Sequence, residues 1–288
     1  MSIQPSKISL LHKSEISQPP VRYKLATTQD ELMQAFELVW QRYTKVGLHP
    51  LDSIGKRITK YHLLPKTKVF IASSFELCDK GGKPEYKDKV IGTLTVVHDS
   101  CFGLPAEEVC KKDIVELRRN GGETVEITSF VCNQDGQDKR VFLKLFRLAY
   151  EYCSRSNVSG VIASLTQRHI GFYRRFLGFQ ALGQLSGYKF GNGTVVQAHF
   201  AHLKNGRDLL EKRTAALFEE DEWRDFWENE AEEMLQKSLE VKPLESRQLK
   251  SIIANCASLR SEIDQQTASA LNIEYARYGV ELGLAPIK

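Results

Sequence analysis

The alternation of apolar and polar residues between positions 123 and 178 predicts a strand, a helix, a second strand and a second helix. ETVEITSFVC has the period of two expected of a strand, with Glu126 among apolar side chains. VFLKLFRLAYEYC has helical periodicity, and its polar face carries Arg140, Lys144, Arg147 and Glu151. Residues 160–165 form a short, wholly apolar run. We therefore expect two parallel strands, joined by a right-handed crossover through the first helix.

The same arrangement predicts where a ligand binds. In parallel sheets, ligands gather beyond the carboxyl ends of the strands. Those ends are Val131–Asn133 for the first strand and Leu165–Arg168 for the second. We expect the functional site between them.

The flanking segments predict further strands and helices. VRYKLA reads as a first strand, followed by a helix with a capping box at Thr28 and Glu31 that stops at Gly47. Residues 48–66 form a long loop, which is either a substrate cover or a plain surface loop. Two strands then form an antiparallel hairpin around a turn at Asp79–Lys89, and a helical insert follows. Asn192 and Gly193 join the last two strands.

Three regions follow from this pattern. Residues 1–20 are expected to be disordered, residues 21–204 to form the main domain, and residues 205–288 to form a helical extension. Within the extension, apolar stripes predict amphipathic helices in 207–239 and 246–277. These helices could pack on the main domain, bind a partner or form a homodimer.

Composition narrows the functional class. The chain has 288 residues, 42% of them hydrophobic, without an apolar run long enough to span a bilayer and without a signal-peptide block, so we expect a cytoplasmic protein. Its six cysteines contain no Cys-x-x-Cys pair, and neither a zinc site nor a disulfide framework is indicated. Residues 1–204 carry 29 Lys and Arg against 19 Asp and Glu, a net charge of +10. No nucleic-acid-binding signature accompanies this charge, which can also attract an acidic protein.

The order of these elements, with a helix that carries Phe172 and Tyr173 before Gly178, resembles the GNAT acyltransferases, and more closely the N-acyl amino acid synthases, relatives of the acyl-homoserine-lactone synthases. Their order and spacing carry the resemblance over residues 21–204. The matching pieces are Gly92-Thr93, Asp99-Ser100, Gly103-Leu104-Pro105, Leu117-Arg118, Glu126-Ile127-Thr128-Ser129 and Arg168-His169. The resemblance implies a mixed α/β fold of GNAT type with a helical C-terminal extension.

The expected coenzyme A loop differs from the GNAT pattern. Its second small residue is replaced by Asp138, and Asp135 adds a second negative charge where a pyrophosphate would lie. The departure argues against ordinary coenzyme A binding. The resemblance instead implies an acyl group on the phosphopantetheine of acyl carrier protein, with acyl-CoA as the alternative donor and no bound cofactor. We expect the acyl and pantetheine site to include Val131, Cys132, Asn133, Lys139 and Arg140.

The chemistry suggests catalytic residues. Acyl transfer to an amine requires a proton acceptor, for which Glu126 is our first choice. Its alternative role is a carboxylate paired with a neighbouring Arg or Lys. Tyr173 matches the GNAT tyrosine that can protonate the leaving thiolate, although an aromatic residue in this helix can also be core. Backbone N–H groups near 131–133 could stabilise the oxyanion if the strand ends unpaired there.

Acceptor binding is assigned to Arg118, Ser129, Arg168 and His169, since a guanidinium can hold a carboxylate through two parallel bonds. A lone histidine is more often structural. His199 and His202 are spaced unfavourably for a shared metal, and no metal site is expected.

The sequence thus predicts an N-acyltransferase that moves a fatty acyl group from acyl carrier protein to an amino acid. Its product is expected to partition into membranes. The alternatives are an acetyl-CoA-dependent N-acetyltransferase, a homoserine-lactone synthase and a non-catalytic module that binds carrier protein or lipid.

Overall fold

One mixed sheet organises the protein. The computed structural model describes residues 21–49, 55–80, 83–133, 138–205, 212 and 231–285, and the predicted tail at residues 1–20 lies outside them. The strands are β1 (Arg22–Leu25), β2 (Lys68–Lys80), β3 (Lys83–His98), β4 (Glu123–Cys132), β5 (Val158–Thr166), β6 (Gln180–Tyr188) and β7 (Thr194–His202). They lie in the order β1-β2-β3-β4-β5-β7-β6. β4 and β5 are parallel and the other neighbours antiparallel, which confirms the predicted parallel pair.

Helices cover both faces of the sheet. They are α1 (Gln29–Lys45), α2 (Glu107–Arg119), α3 (Asp138–Arg155), α4 (Gln167–Leu177), α5 (Glu232–Leu239), α6 (Ser246–Ala254), α7 (Ala257–Glu262) and α8 (Gln265–Ala276). α1 and α2 share one hydrophobic cluster with one face, whereas α3 and α4 share another cluster with the opposite face. The predicted mixed α/β fold is confirmed.

The helix patterns are largely confirmed. Thr28 caps α1 in the predicted capping box with Glu31, and the apolar stripe of α3 is buried. The polar face of α3 is partly buried, because Arg147 and Glu151 are buried and their Nε and Oε1 atoms lie 3.2 Å apart. One turn further along this face, Arg155 pairs with Glu232 of α5 at 2.7 Å. α5 thus covers that part of the face.

The predicted turn of the first hairpin is too long. β2 and β3 pair up to Lys80 and Lys83, so the ladder continues through most of the expected turn at Asp79–Lys89. Glu76 lies opposite Lys87 in this ladder, and its Oε1 lies 2.9 Å from the Nζ of Lys89. Opposite charges across neighbouring strands stabilise such an extension.

The C-terminal helices differ from the prediction in their breaks. The helix expected within 246–277 is three helices, because the side chain of Asn255 bonds back to Ser251 and Asp264 caps α8 by accepting from Thr267 N. Residues 206–211 and 213–230 of the extension lie outside the described residues. The apolar stripe of α6–α8 is buried in the same cluster as α1 and α2. A homodimer through these helices stays a prediction.

Among the described residues, each helix is too short or too polar to cross a bilayer.

Candidate active site

A cavity of about 370 Å³ lies where β4 and β5 separate. Their pairing runs from Glu123 and Val158 to Glu126 and Ile162, after which no further pair joins these two described strands. The gap is at the carboxyl ends of the strands, as expected. Most of the predicted site residues line it, namely Glu126, Ser129, Val131, Cys132, Arg168, His169 and Tyr173.

Glu126 is a buried carboxyl group at the wall of the cavity, with 1% of its surface exposed. Its Oε2 accepts from the backbone N–H of Ala106 at 2.6 Å, and its Oε1 accepts from the Ser164 hydroxyl at 3.0 Å. Burial raises the pKa of Glu126 to about 8, although both hydrogen bonds lower it. The alternative role of Glu126 as the partner of an Arg or Lys has no support among the described residues, because its hydrogen-bond partners, Ala106 N–H and the Ser164 hydroxyl, are uncharged. The carboxyl group can exchange a proton near neutral pH.

Ser129 lies at a bulge in β4. Its φ is 51°, and the pairing between β3 and β4 shifts across this position. A non-glycine residue in the left-handed region is strained, and such strain is concentrated at functional sites. The Ser129 Oγ is buried and has no hydrogen-bond partner among the described residues. It is therefore available to a bound molecule in the cavity.

Tyr173 reaches the cavity from α4. Its ring packs edge-on against Phe172 and Phe179, with centroids 5.9 and 5.4 Å away. Burial raises the pKa of Tyr173 well above its usual range, so its hydroxyl stays protonated near neutral pH. Tyr173 thus belongs to the hydrophobic core and also lines the cavity, and its role as a proton donor stays a prediction.

Arg168 and His169 lie in the first turn of α4 and are exposed. The hydroxyl of Thr166, the N-cap residue, lies 3.2 Å from Nδ1 of His169. Partial desolvation of the ring by neighbouring atoms, with help from the positive charge of Arg168, lowers the pKa of His169. Both side chains stand at the mouth of the cavity, where they can meet an anionic ligand.

The end of β4 is held by hydrogen bonds. Asn133 N donates to Ile91 O at 2.7 Å, so this N–H is engaged rather than free for the predicted oxyanion site. Cys132 O accepts from Nε and Nη2 of Arg42 at 2.9 and 2.7 Å. Val131 and Cys132 line the cavity, whereas Asn133 lies beyond its lining. The end of the strand is thereby tied both to β3 and to α1.

The predicted donor loop is only partly described. Residues 134–137 and the side chains of Asp138 and Lys139 lie outside the described residues, so the expected effect of Asp135 and Asp138 on coenzyme A binding stays a prediction. Arg140, in the first turn of α3, is exposed. It is not among the residues that line the cavity.

Arg118 lies outside this cavity, so the structure does not bring it together with the other predicted acceptor residues, and its assignment to the acceptor site stays a prediction. Its Nε and Nη2 donate to the two Asp99 oxygens at 2.6 and 2.8 Å, and Nη2 also donates to Glu107. Arg118 lines a second cavity with these carboxylates. Two carboxylates already neutralise its charge, so the loop between Asp99 and Glu107 is its partner. The Ala106 N–H at the end of that loop is the donor to Glu126.

Several lining residues were missed as site residues. They come from α1, from the segment after residue 55 and from β6, namely Arg42, Tyr43, Arg57 and Tyr188. The Arg57 guanidinium is buried and lies 4.9 Å from the centre of the Tyr43 ring. Burial raises the pKa of Tyr43, against the positive charge of Arg57. Arg57 belongs to the predicted loop at residues 48–66, which was considered as a substrate cover. Tyr43 belongs to the predicted helix that stops at Gly47, where nothing in the sequence marked it as a site residue.

Within the described residues, no group of three or more His, Cys, Asp or Glu side chains is suited to bind a metal ion.

Comparison with solved structures identifies the fold. It is similar to FeeM, an N-acyl amino acid synthase from uncultured soil microbes, at 17% identity and a TM-score of 0.55, over 69% of this chain and 97% of that one. The AHL synthase LasI is similar at 15% identity and a TM-score of 0.45, over 67% and 95%. An N-acetyltransferase from Staphylococcus aureus Mu50 is similar at 16% identity and a TM-score of 0.41, over 65% and 99%. The fold is thus similar to that of FeeM.

The protein is an acyltransferase. Residues 34–200 match the family model of the N-acyl amino acid synthase FeeM, and the chain belongs to that family. The comparison with curated proteins gave no match. The family assignment confirms the resemblance drawn from the sequence.

Proposed function

We propose that this acyltransferase moves a fatty acyl group from acyl carrier protein to the amine of an amino acid. The observation that carries the proposal is the buried carboxyl of Glu126 in the gap between β4 and β5, in a chain of the N-acyl amino acid synthase family. That gap brings together a proton acceptor, a protonated tyrosine and polar groups suited to an acceptor. An amide-forming reaction needs each of them.

Glu126 serves as the proton acceptor. The α-ammonium group of a free amino acid has a pKa above the value of about 8 for a peptide N-terminus, and burial raises the pKa of Glu126 to about 8. The raised pKa of Glu126 narrows the difference between the two groups, so transfer from the bound ammonium to the carboxylate is less unfavourable. An ordinary carboxylate, with a pKa several units lower, would be a poorer acceptor.

The proposed transfer balances without a cofactor. The neutral amine attacks the thioester carbonyl carbon, the C–N bond forms and the C–S bond breaks. The Tyr173 hydroxyl gives its proton to the departing sulfur, and the second proton of the nitrogen replaces it. Glu126 releases the first proton to solvent, so both residues end the cycle as they began. Because burial raises the pKa of Tyr173 well above its usual range, its proton passes to the sulfur as the second proton of the nitrogen moves onto its oxygen.

The acceptor is proposed to bind through its carboxylate and its amine together. Arg57 provides a buried positive charge at the cavity wall, and Arg168 provides an exposed one at its mouth. Ser129 Oγ is buried there with an open hydrogen-bonding capacity among the described residues. Because Arg57 lines the cavity and Arg118 does not, Arg57 is proposed for the role first assigned to Arg118.

Acyl carrier protein is proposed as the donor on the basis of charge. Asp135 and Asp138 disfavour a pyrophosphate near the start of α3, while the net charge of residues 1–204 favours an acidic protein. Arg140 is exposed beside that position. This donor also implies that the protein acts in the cytoplasm.

The test compares lipid extracts, by mass spectrometry, from cells that express the wild-type chain, Glu126→Gln or the control Glu116→Gln. Glu116 is an exposed carboxyl on α2. We expect N-acyl amino acids with the wild type and the control, and a loss of at least about 100-fold with Glu126→Gln.

Purified protein then separates the donors and the rival activities. Faster turnover with acyl carrier protein than with acyl-CoA supports the proposal. An acetylated amine would indicate an acetyltransferase, and a lactone a homoserine-lactone synthase. The absence of product with every donor, despite binding of the carrier, would indicate a binding module and refute the proposal.

A further inference from the structure

The segment at residues 57–64 is held between the sheet domain and the C-terminal helices. On one side, Arg57 N donates to Phe36 O of α1 at 3.0 Å. A short 3-10 turn follows at Lys60–Leu63. Ile58, Tyr61, Leu63 and Leu64 are all buried. The segment is therefore part of the core although it lacks long regular structure.

The opposite side is held by two hydrogen bonds from residues 262 and 275. The fully buried Tyr275 donates its hydroxyl to Leu63 O at 2.8 Å. Glu262 Oε2 accepts from Lys60 N at 3.1 Å. These bonds satisfy one backbone group at each end of the 3-10 turn, groups that would otherwise be unpaired.

Apolar packing adds to these two bonds. The side chains of this segment belong to one cluster with Leu259, Ile263 and Leu271 of the C-terminal helices. The family match ends at residue 200, so it covers neither Glu262 nor Tyr275. The C-terminal extension thus contributes apolar side chains to the core around residues 57–64, which lie before β2.

The same segment carries Arg57 to the cavity. Arg57 is buried, lines the cavity with Glu126 and lies over the Tyr43 ring. Only two residues separate it from Lys60, whose N–H is held by Glu262. A small displacement of a binding group can lower activity greatly. The position of Arg57 therefore depends on contacts made more than 200 residues further along the chain.

We propose that the C-terminal helices build the acceptor side of the active site, with Tyr275 and Glu262 as positioning residues for Arg57. The acceptor role of Arg57 rests on the function proposed above. The clamp on residues 57–64 rests on the contacts alone. The ligand affected is an amino acid carboxylate, not the acyl donor.

The test uses Tyr275→Phe, Glu262→Gln and the double variant in the full-length chain. Each single variant removes or weakens one hydrogen bond while keeping most of the side-chain volume. We expect amide hydrogen exchange of residues 57–64 to become about fivefold faster in each, and KM for the amino acid to rise about fivefold. KM for the acyl donor should change less than twofold.

Matched controls are Tyr278→Phe and Glu233→Gln. Tyr278 follows α8, and Glu233 is an exposed residue of α5 that pairs with Lys237. Both controls should leave exchange in residues 57–64 and both KM values unchanged. They separate the effect of the clamp from a general effect of changing the extension.

Two results would overturn the inference. Unchanged exchange in residues 57–64 in the double variant would show that the extension does not hold the segment. Faster exchange with equal rises in both KM values would show that the segment does not act on the acceptor. If the wild type acylates no amino acid, the proposed function fails, and the exchange result still decides whether the clamp exists.

Discussion

Replacement of Glu126 by Gln should change the pH dependence of stability in a defined way. The amide oxygen of Gln can accept from Ala106 N–H, and its NH₂ group can donate to the Ser164 hydroxyl, so both hydrogen-bonding positions stay occupied. Gln is neutral at every pH. It therefore imitates the protonated form of Glu126 without leaving a cavity.

The magnitude follows from the shift in pKa. Burial raises the pKa of Glu126 from a usual 4.5 to about 8, so the folded state binds the proton more tightly than the unfolded state. The free energy of unfolding of the wild type should then fall as pH rises from about 4.5 to about 8, and the loss from this group should level off above that. At about 1.4 kcal/mol for each unit of pKa, the full loss is roughly 5 kcal/mol, an upper bound. The Gln variant lacks this loss.

The assay is urea unfolding of the wild type, Glu126→Gln and the control Glu116→Gln at pH values from about 5 to about 9. The difference between wild type and Glu126→Gln should shift steadily in favour of the variant up to about pH 8. In parallel, kcat/KM of the wild type should rise with pH and level off near pH 8, because the ionised carboxylate accepts the proton.

A constant difference in unfolding free energy between about pH 5 and pH 8 would refute the raised pKa of Glu126. A shifting difference with a flat rate profile would show that Glu126 titrates without acting as the base. Full activity of the Gln variant would remove it from the reaction.

Three further predictions concern other residues. Tyr173→Phe should lower kcat about 100-fold with little change in KM, and an unchanged kcat would leave Tyr173 with only its packing role. Arg118→Ala should lower the free energy of unfolding, measured in urea, by about 1 to 2 kcal/mol, because its bonds to Asp99 and Glu107 are lost. A rise of more than tenfold in KM for the acceptor, without destabilisation, would instead support its role as an acceptor ligand. Arg140→Glu should raise KM for acyl carrier protein about fivefold at low salt and less at high salt, and an equal rise for acyl-CoA would count against carrier docking.

Helix caps and tight turns were predictable from the sequence, because each is determined by a few neighbouring residues. The capping box at Thr28 and the Asn192-Gly193 turn each depend on neighbouring groups, and both are present. The breaks at Asn255 and Asp264 were missed because periodicity continues through them. Their side chains bind nearby backbone groups instead, which an apolar stripe does not reveal.

The site was predictable as far as topology determines it. Glu126 lies on β4, and Tyr173 lies on the helix that follows β5. Because β4 and β5 are a parallel pair, both residues come to the edge of the sheet where these strands end. Arg57 and Tyr188 come from distant segments, so only the folded chain brings them to the cavity. The carboxylates that Arg118 contacts were not predictable, because sequence spacing does not show which side chains lie near it in space.

The gap between β4 and β5 also bears on the order of events during turnover. α1 and α4 pack on opposite faces of the sheet, and each contributes a tyrosine to the gap, Tyr43 from α1 and Tyr173 from α4. For the proposed reaction, we therefore expect the two substrates to approach the gap from opposite sides and to be present together. Such a ternary complex needs no acylated enzyme intermediate, and double-reciprocal plots at several fixed acceptor concentrations should give intersecting lines. In that case, simultaneous binding of donor and acceptor follows from the separation of β4 and β5 in the backbone.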